Sequence, residues 1–188
     1  AFSRYRNIML GRYRKISADH YGTYVYIRNL RNDKLWCNTY APLDVMPEGY
    51  HVSFASDKMS FLRVDEGIET KTEVTVLKDR SAEIRRLTFT NNGNEDVGLE
   101  LTTYGEVVLA PTEEDVNHRV FNGMKITSEY DKEHETLVFS RPGSFGSHNY
   151  MIHKLWTEEK TGAEYETSRM KLERDRKSGS AGMPRPIS

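Results

Sequence analysis

Gly67-Ile-Glu-Thr-Lys-Thr-Glu-Val-Thr-Val-Leu77 decides the fold class. Ile68, Thr70, Thr72, Val74 and Val76 share one parity, and Glu69, Lys71, Glu73 and Thr75 the other. Successive side chains of a strand point to opposite faces, so this stretch reads as a β-strand with one core face. The other face is wet or meets a second layer. The same alternation, rich in β-branched and aromatic residues, runs from Tyr21 to Trp156 and is broken about every ten residues by Gly, Asn, Asp or Pro. No stretch has the pattern of a long amphipathic helix, and no repeat of fixed period is present. This spacing predicts an all-β antiparallel sandwich.

Local pairings follow by working outward from that strand. Ile84 has even parity but Leu87 and Phe89 have odd parity, so holding all three inward requires an extra residue near Arg85-Arg86, an expected β-bulge. Asn91-Asn-Gly-Asn94 tolerates positive φ, which predicts that Ile84–Asn91 and Asp96–Leu109 are antiparallel neighbours. Tyr24–Arg28 and Leu35–Tyr40 flank Arg31–Lys34 as another hairpin, with three- and four-residue loops both open. The three-residue loop would set Arg28 opposite Trp36 and Tyr24 opposite Tyr40. Further strands are expected near 50–55, 58–64, 123–130, 136–141, 149–156 and 165–172.

Charge and hydropathy narrow the partners. The 188 residues carry 27 Lys plus Arg against 28 Asp plus Glu, a net charge of -1, which gives no global field toward nucleic acid or anionic membrane. Arg4-Tyr-Arg6 and Arg12-Tyr-Arg-Lys15 interleave cations with aromatics, but few basic runs accompany them, and no nucleic-acid partner is expected. Apolar residues are 37% of the chain and no run approaches the ~18 of a membrane-spanning helix, so direct membrane insertion is not expected. Cys37 is the single cysteine, cannot form an internal disulfide and points to a reducing, cytoplasmic compartment. The opening without an initiator Met and the Gly-, Ser- and Pro-containing Lys177–Ser188 read as the ends of a piece of a longer protein. The expected division is an N-terminal extension over 1–20, a carbohydrate-binding β-sandwich domain over 21–172, and a loop or linker over 173–188.

The residue types argue against chemistry carried by this chain. His20, His51, His118, His134, His148 and His153 form no pair with ligand spacing, so neither metal nor cofactor is expected. Cys37 reads as a buried small hydrophobe, and there is no Gly-x-Ser-x-Gly or phosphate-cradling loop. Glu106, Glu113, Glu114 and Asp115 are acid candidates only by exclusion and read as solvated acids at strand ends. Tyr24, Tyr26, Trp36, Tyr40, Tyr104, Tyr150 and Trp156 suit pyranose stacking or a sandwich core, and Asn38, His118, Arg119 and Arg169 suit sugar hydroxyls.

Gly67–Leu77, then Glu83-Ile-Arg-Arg-Leu-Thr-Phe-Thr-Asn91, then Leu101-Thr-Thr-Tyr-Gly-Glu-Val-Val-Leu-Ala-Pro111 resemble the N-terminal β-sandwich of glycoside hydrolase family 94, formerly glycosyltransferase family 36. Tyr24-Val-Tyr-Ile-Arg28 with Trp36 and Tyr40, and Asp115 through His118 to Phe121, match in the same order. The likeness runs from about Arg12 to Arg169 and is strongest to the β-1,2-glucan members. It implies a galactose-mutarotase-like supersandwich attached, in the parent chain, to an (α/α)6 barrel that supplies an Asp general acid. It also implies an oligosaccharide or β-glucan partner, a homodimer, and a parent protein that the glucan-synthase members attach to the inner membrane. No catalytic residue is then expected in this chain. Arg12 or Arg14 would face phosphate or sugar, and Trp36, Tyr40, Tyr104, His118 and Arg169 complete the expected carbohydrate contacts. The rival readings are a structural interface and dimerisation module, and an intact epimerase needing paired His and Glu at one face.

Overall fold

The computed structural model describes residues 3–12, 14–16, 19–143, 146–158 and 164–167, with the side chains of 14–16 and 19–21 outside the description. In chain order the strands are β1 (Arg4–Tyr5), β2 (Ile8–Gly11), β3 (Arg14–Ile16), β4 (Asp19–Tyr21), β5 (Thr23–Asn29), β6 (Leu35–Cys37), β7 (Gly49–Phe54), β8 (Met59–Asp65), β9 (Ile68–Val76) and β10 (Glu83–Asn91). There follow β11 (Leu99–Gly105), β12 (Val107–Pro111), two short helices α1 (Thr112–Asn117) and α2 (Arg119–Met124), then β13 (Thr127–Asp131), β14 (Thr136–Pro142) and β15 (His148–His153). The chain divides into two compact units, Tyr24–Tyr104 and the combination of Ala1–Thr23 with Gly105–Ser188.

The Tyr24–Tyr104 unit is built on β9. One hydrogen-bonded sheet runs β10-β9-β8-β7, all antiparallel, and a second runs β11-β5-β6. Ile68, Thr70 and Thr72 are buried while Lys71 is exposed, as the period-two pattern requires, but Val76, expected on the same core face, is 69% exposed at the end of the strand. Ile68 joins Val25, Ile27 and Trp36 in a core against which Leu87, Phe89, Val97, Leu99 and Leu101 pack. This core draws residues from both sheets, which is the sandwich arrangement, and each fully buried large apolar side chain stabilises it by about 1.5–3 kcal/mol. The turn between β8 and β9 is Glu66-Gly67, with φ of 56° and 72°, the two positive values that a type I′ hairpin demands. Asn32 and Lys34 hold the Glu66 carboxylate in place.

Two local expectations are corrected here. The β9–β10 ladder runs without interruption from Glu83↔Val76 to Asn91↔Ile68, so there is no bulge at Arg85-Arg86. Ile84 points away from Leu87 and Phe89 and is exposed; a solvent-facing isoleucine is cheaper than a broken ladder. Nor does β10 pair with the segment after Asn94: among the described residues β10 neighbours only β9, and β11 neighbours β5. The Asn91 side chain accepts from the Gly93 N–H at 2.9 Å and donates to the Glu95 carbonyl at 2.7 Å, closing a turn by itself. The chain then crosses to the other sheet, where Leu30 N–H donates to the Gly98 carbonyl at 3.0 Å.

In the β5–β6 hairpin the register is Arg28↔Leu35, Ile27↔Trp36 and Tyr26↔Cys37. A four-residue loop, 30–33, lies inside the bond from Asn29 N–H to Lys34 carbonyl at 2.9 Å, with Asp33 at φ 58°. Tyr40 is therefore beyond the ladder and not opposite Tyr24.

In the other unit β12 is an edge strand of the sheet β1-β2-β12. It pairs antiparallel with β2, and β2 with β1, around Met9, Val108 and Ala110. β3 pairs with β4, and β13-β14-β15 form a three-stranded antiparallel sheet. The expected strand over 123–130 begins only at Thr127, because 119–124 are helical, and 164–167 are not strand. The remainder of the expected 165–172 strand and the 173–188 linker lie outside the described residues. Among the described residues no helix is long and apolar enough to cross a membrane.

Candidate functional site

Three buried arginines organise the polar interior of the units, and alternation explains why. Met59, Phe61, Arg63 and Asp65 share one parity of β8, as Leu137, Phe139 and Arg141 do in β14, so each arginine follows the chain inward with its apolar neighbours. A buried guanidinium must then be met by carboxylate and carbonyl oxygens.

Arg12 follows β2 and meets Asp115 of α1 in two parallel bonds, Nε to Oδ2 at 2.8 Å and Nη2 to Oδ1 at 2.5 Å. Nη1 adds Glu106 Oε2 at 3.3 Å, and the Arg12 N–H donates to the Glu106 carbonyl at 2.9 Å. Arg141 donates through Nη2 to Glu114 and, at 2.9 Å, to Asn122 Oδ1. Burial raises the Glu114 pKa, but Arg141, with Lys125 beside it, outweighs that and holds the carboxyl below its ordinary range. Lys125 Nζ also stands 4.5 Å above the Phe121 ring. In the Tyr24–Tyr104 unit Arg63 grips Asp65 at 2.6 and 2.8 Å, and its other donors reach the Thr39 and Val45 carbonyls at 3.0 and 2.8 Å. That clamp fixes the 39–45 loop, whose Tyr40 and Val45 are exposed together with the neighbouring Met46.

The carbohydrate candidates divide between the units. Arg12 is buried on two carboxylates, so it does not face outward toward a phosphate or sugar as expected. Trp36 is 1% exposed within the core and has no ring face to offer a pyranose. Tyr40 is an exposed aromatic on the loop that Arg63 holds. Tyr104 is half-buried, edge-on to Tyr26 at 6.3 Å. His118 is exposed at the junction of α1 and α2, where its N–H donates to the Glu114 carbonyl at 3.0 Å. Arg14 lies in β3, its side chain outside the description, and Arg169 lies outside the described residues.

Asn38 is not a sugar-facing amide. Its Oδ1 accepts from Val25 N–H at 3.0 Å and its Nδ2 reaches Thr72 Oγ1 at 3.4 Å, a bracket inside the core. Glu106 and Asp115 are likewise not solvated acids, since Arg12 draws them into the interior; Glu113 is exposed. Cys37 is buried as expected, and burial pushes its thiol pKa up against the lowering from Thr39. Among the described residues no group of His, Cys, Asp and Glu could hold a metal ion.

Sequence reasoning missed Arg63 and Arg141, although charged residues in the inward register of an apolar strand were the available signal. It named Tyr150 as an aromatic able to stack on a sugar but not the surface around it. The outer face of β13-β14-β15 carries Thr127, Ser140 and Tyr150 in one register row, with the two hydroxyl oxygens 2.7 Å apart. Tyr150 is 64% exposed and lies against His148, ring centroids 6.1 Å apart at 27°.

A β-sandwich unit with motifs in family order has a direct counterpart among known domains. The profile described as "Glycosyl hydrolase 94, supersandwich domain" matches residues 1–176. The chain belongs to the glycosyl hydrolase 94 supersandwich family. Among curated proteins it is similar to the cyclic beta-(1,2)-glucan synthase NdvB of Rhizobium meliloti (strain 1021), 29% identical over 123 residues, 65% of this chain. It spans 4% of the length of that relative. This glycosyl hydrolase 94 supersandwich chain is thus built mainly of strands and corresponds to a small part of a much longer relative.

Proposed function

We propose that this chain is a non-catalytic carbohydrate-contacting and barrel-docking domain of a larger cytoplasmic enzyme, one that resembles a β-glucan phosphorylase or cyclic β-1,2-glucan synthase. The observation that carries the reading is the supersandwich family match over residues 1–176, together with a glucan-synthase relative of which this chain spans 4%. Family membership supports a carbohydrate ligand, and the clamped loop bearing exposed Tyr40 is a candidate aromatic contact for it. NMR titration of the chain with β-1,2-, β-1,3- and β-1,4-linked glucooligosaccharides tests it. Saturable, linkage-selective shifts are expected; silence up to millimolar sugar would remove the carbohydrate part.

A second reading, docking and dimerisation without independent sugar binding, is favoured by α1 and α2. Val116, Val120, Phe121 and Met124 are all exposed there, and Val116, Val120 and Met124 recur at a four-residue spacing. Under this reading the apolar face meets the parent's catalytic barrel. Val120→Asp with Phe121→Asp would weaken co-purification with a separately expressed barrel while leaving the fold of this chain intact.

A further inference from the structure

We infer that the outer face of β13-β14-β15 is a glucan-binding platform whose floor is the Tyr150–His148 ring pair. The inference rests on the carbohydrate-contact reading and gives it a location. The two rings stand at i and i+2 of β15, so they share one face, and they are near parallel with centroids 6.1 Å apart, an exposed aromatic cluster. The exposed Tyr150 ring, flanked by His148, can receive the C–H face of a sugar. Beside it, in the Tyr150 register row, the Thr127–Ser140 hydroxyl pair offers donor and acceptor groups to sugar hydroxyls. One row along, Glu129 adds an acceptor at the margin and Ile152, 67% exposed, extends the apolar floor.

The chemistry of this face selects a neutral polyhydroxylated ligand. Apart from histidine, the only cationic side chain in the three strands is Arg141, which is buried and committed to Glu114 and Asn122. Lys154, just beyond β15 on the same parity, donates to the His134 carbonyl at 2.7 Å, so an anion would find little to pair with on the strands themselves. A protein would find only Tyr150 and Ile152 as exposed large apolar anchors, little for an interface that normally buries about 1,200–2,000 Å². A mixed surface of aromatic rings and hydroxyls matches the alternating C–H and O–H faces of a pyranose chain.

Affinity electrophoresis of the whole chain in gels containing linear β-1,2-glucan, with dextran as control, tests the site. The expected result is retardation by the β-glucan that weakens about tenfold in Tyr150→Ala, falls partly in His148→Ala and survives in Tyr150→Phe. Both side chains are exposed, so unchanged thermal midpoints are expected in all three variants. Retardation that persists unaltered in Tyr150→Ala and His148→Ala overturns this site while leaving carbohydrate contact elsewhere on the chain. Absence of retardation by β-1,2-, β-1,3- and β-1,4-glucans overturns the site and the underlying reading together. Self-association in sedimentation that disappears in Tyr150→Ala, with no glucan effect, would make the face a contact between copies and also overturn it.

Discussion

Arg12 and Asp115 stand 103 positions apart in the chain and meet through two parallel hydrogen bonds at 2.8 and 2.5 Å. Both side chains are almost fully buried, so the pair ties the end of β2 to α1 with Glu106 as a third member. Its physical role is attachment of two distant segments, because a guanidinium drawn out of water needs carboxylates that only another segment supplies.

Breaking this pair from one side leaves an uncompensated charge. Asp115→Ala is expected to lower the unfolding free energy by about 3 kcal/mol, the low end of the usual range because Glu106 remains on Arg12. Urea denaturation of both single variants and the Arg12→Ala, Asp115→Ala double variant measures the coupling. Losses that simply add would show that the contact is not energetically shared.

Trp36 tests the core rather than a sugar contact. Trp36→Ala is expected to cost about 3–5 kcal/mol, since a large cavity opens among Val25, Ile27 and Ile68. Trp36→Phe should cost clearly less. It keeps much of the ring and deletes an indole N–H that is buried without a hydrogen-bond partner. Equal destabilisation by the two substitutions would contradict this placement.

Cys37 is expected to resist alkylation. Burial is the largest influence on its thiol and raises its pKa, so little thiolate is exposed to reagent in the native state. Iodoacetamide labelling followed by mass spectrometry should proceed only as fast as the chain opens, and rise sharply in denaturant. Rapid labelling of the folded chain at neutral pH would refute it.

Acid should destabilise the chain through lowered carboxyl groups. Lys34 lowers Glu66, Lys58 lowers Glu73, His134 lowers Asp131, and in Glu114 the lowering by Arg141 exceeds the raising by burial. A carboxyl whose folded pKa lies below its unfolded value stabilises the fold above that unfolded value. The stabilisation is lost as pH falls through the folded pKa. Thermal midpoints measured from pH 7 downward should therefore begin to drop below about 4.5, the ordinary glutamate value, as these carboxylates are protonated. Glu66→Gln with Glu73→Gln should flatten that drop, and an unchanged acid slope would dissociate these groups from it.

Much of the fold was legible because strand periodicity is a local property. β9 follows the parity of Gly67–Leu77, and β7, β8 and β14 fall close to the segments that alternation marks out. Reading Ile84 as an inward residue failed for an equally physical reason: burial of an apolar side chain is favourable but not obligatory, whereas a continuous ladder satisfies every backbone group. The candidate site was less legible. Aromatic type identified residues able to stack on a sugar, but type alone does not separate Trp36, enclosed by the core, from Tyr150, which stands in solvent beside His148.

The sequence by itself determined the all-β class, the strand that became β9, the burial of Cys37 and membership in a glycosyl hydrolase 94 supersandwich family. These depend on residues close together in the chain, or on motifs in a set order. Only the tertiary structure decided that, among the described residues, β10 pairs with β9, that β11 joins β5, and which carboxylates meet Arg12, Arg63 and Arg141. Each of those outcomes depends on which distant segment covers a face or supplies a carboxylate, and no local pattern encodes the identity of that partner.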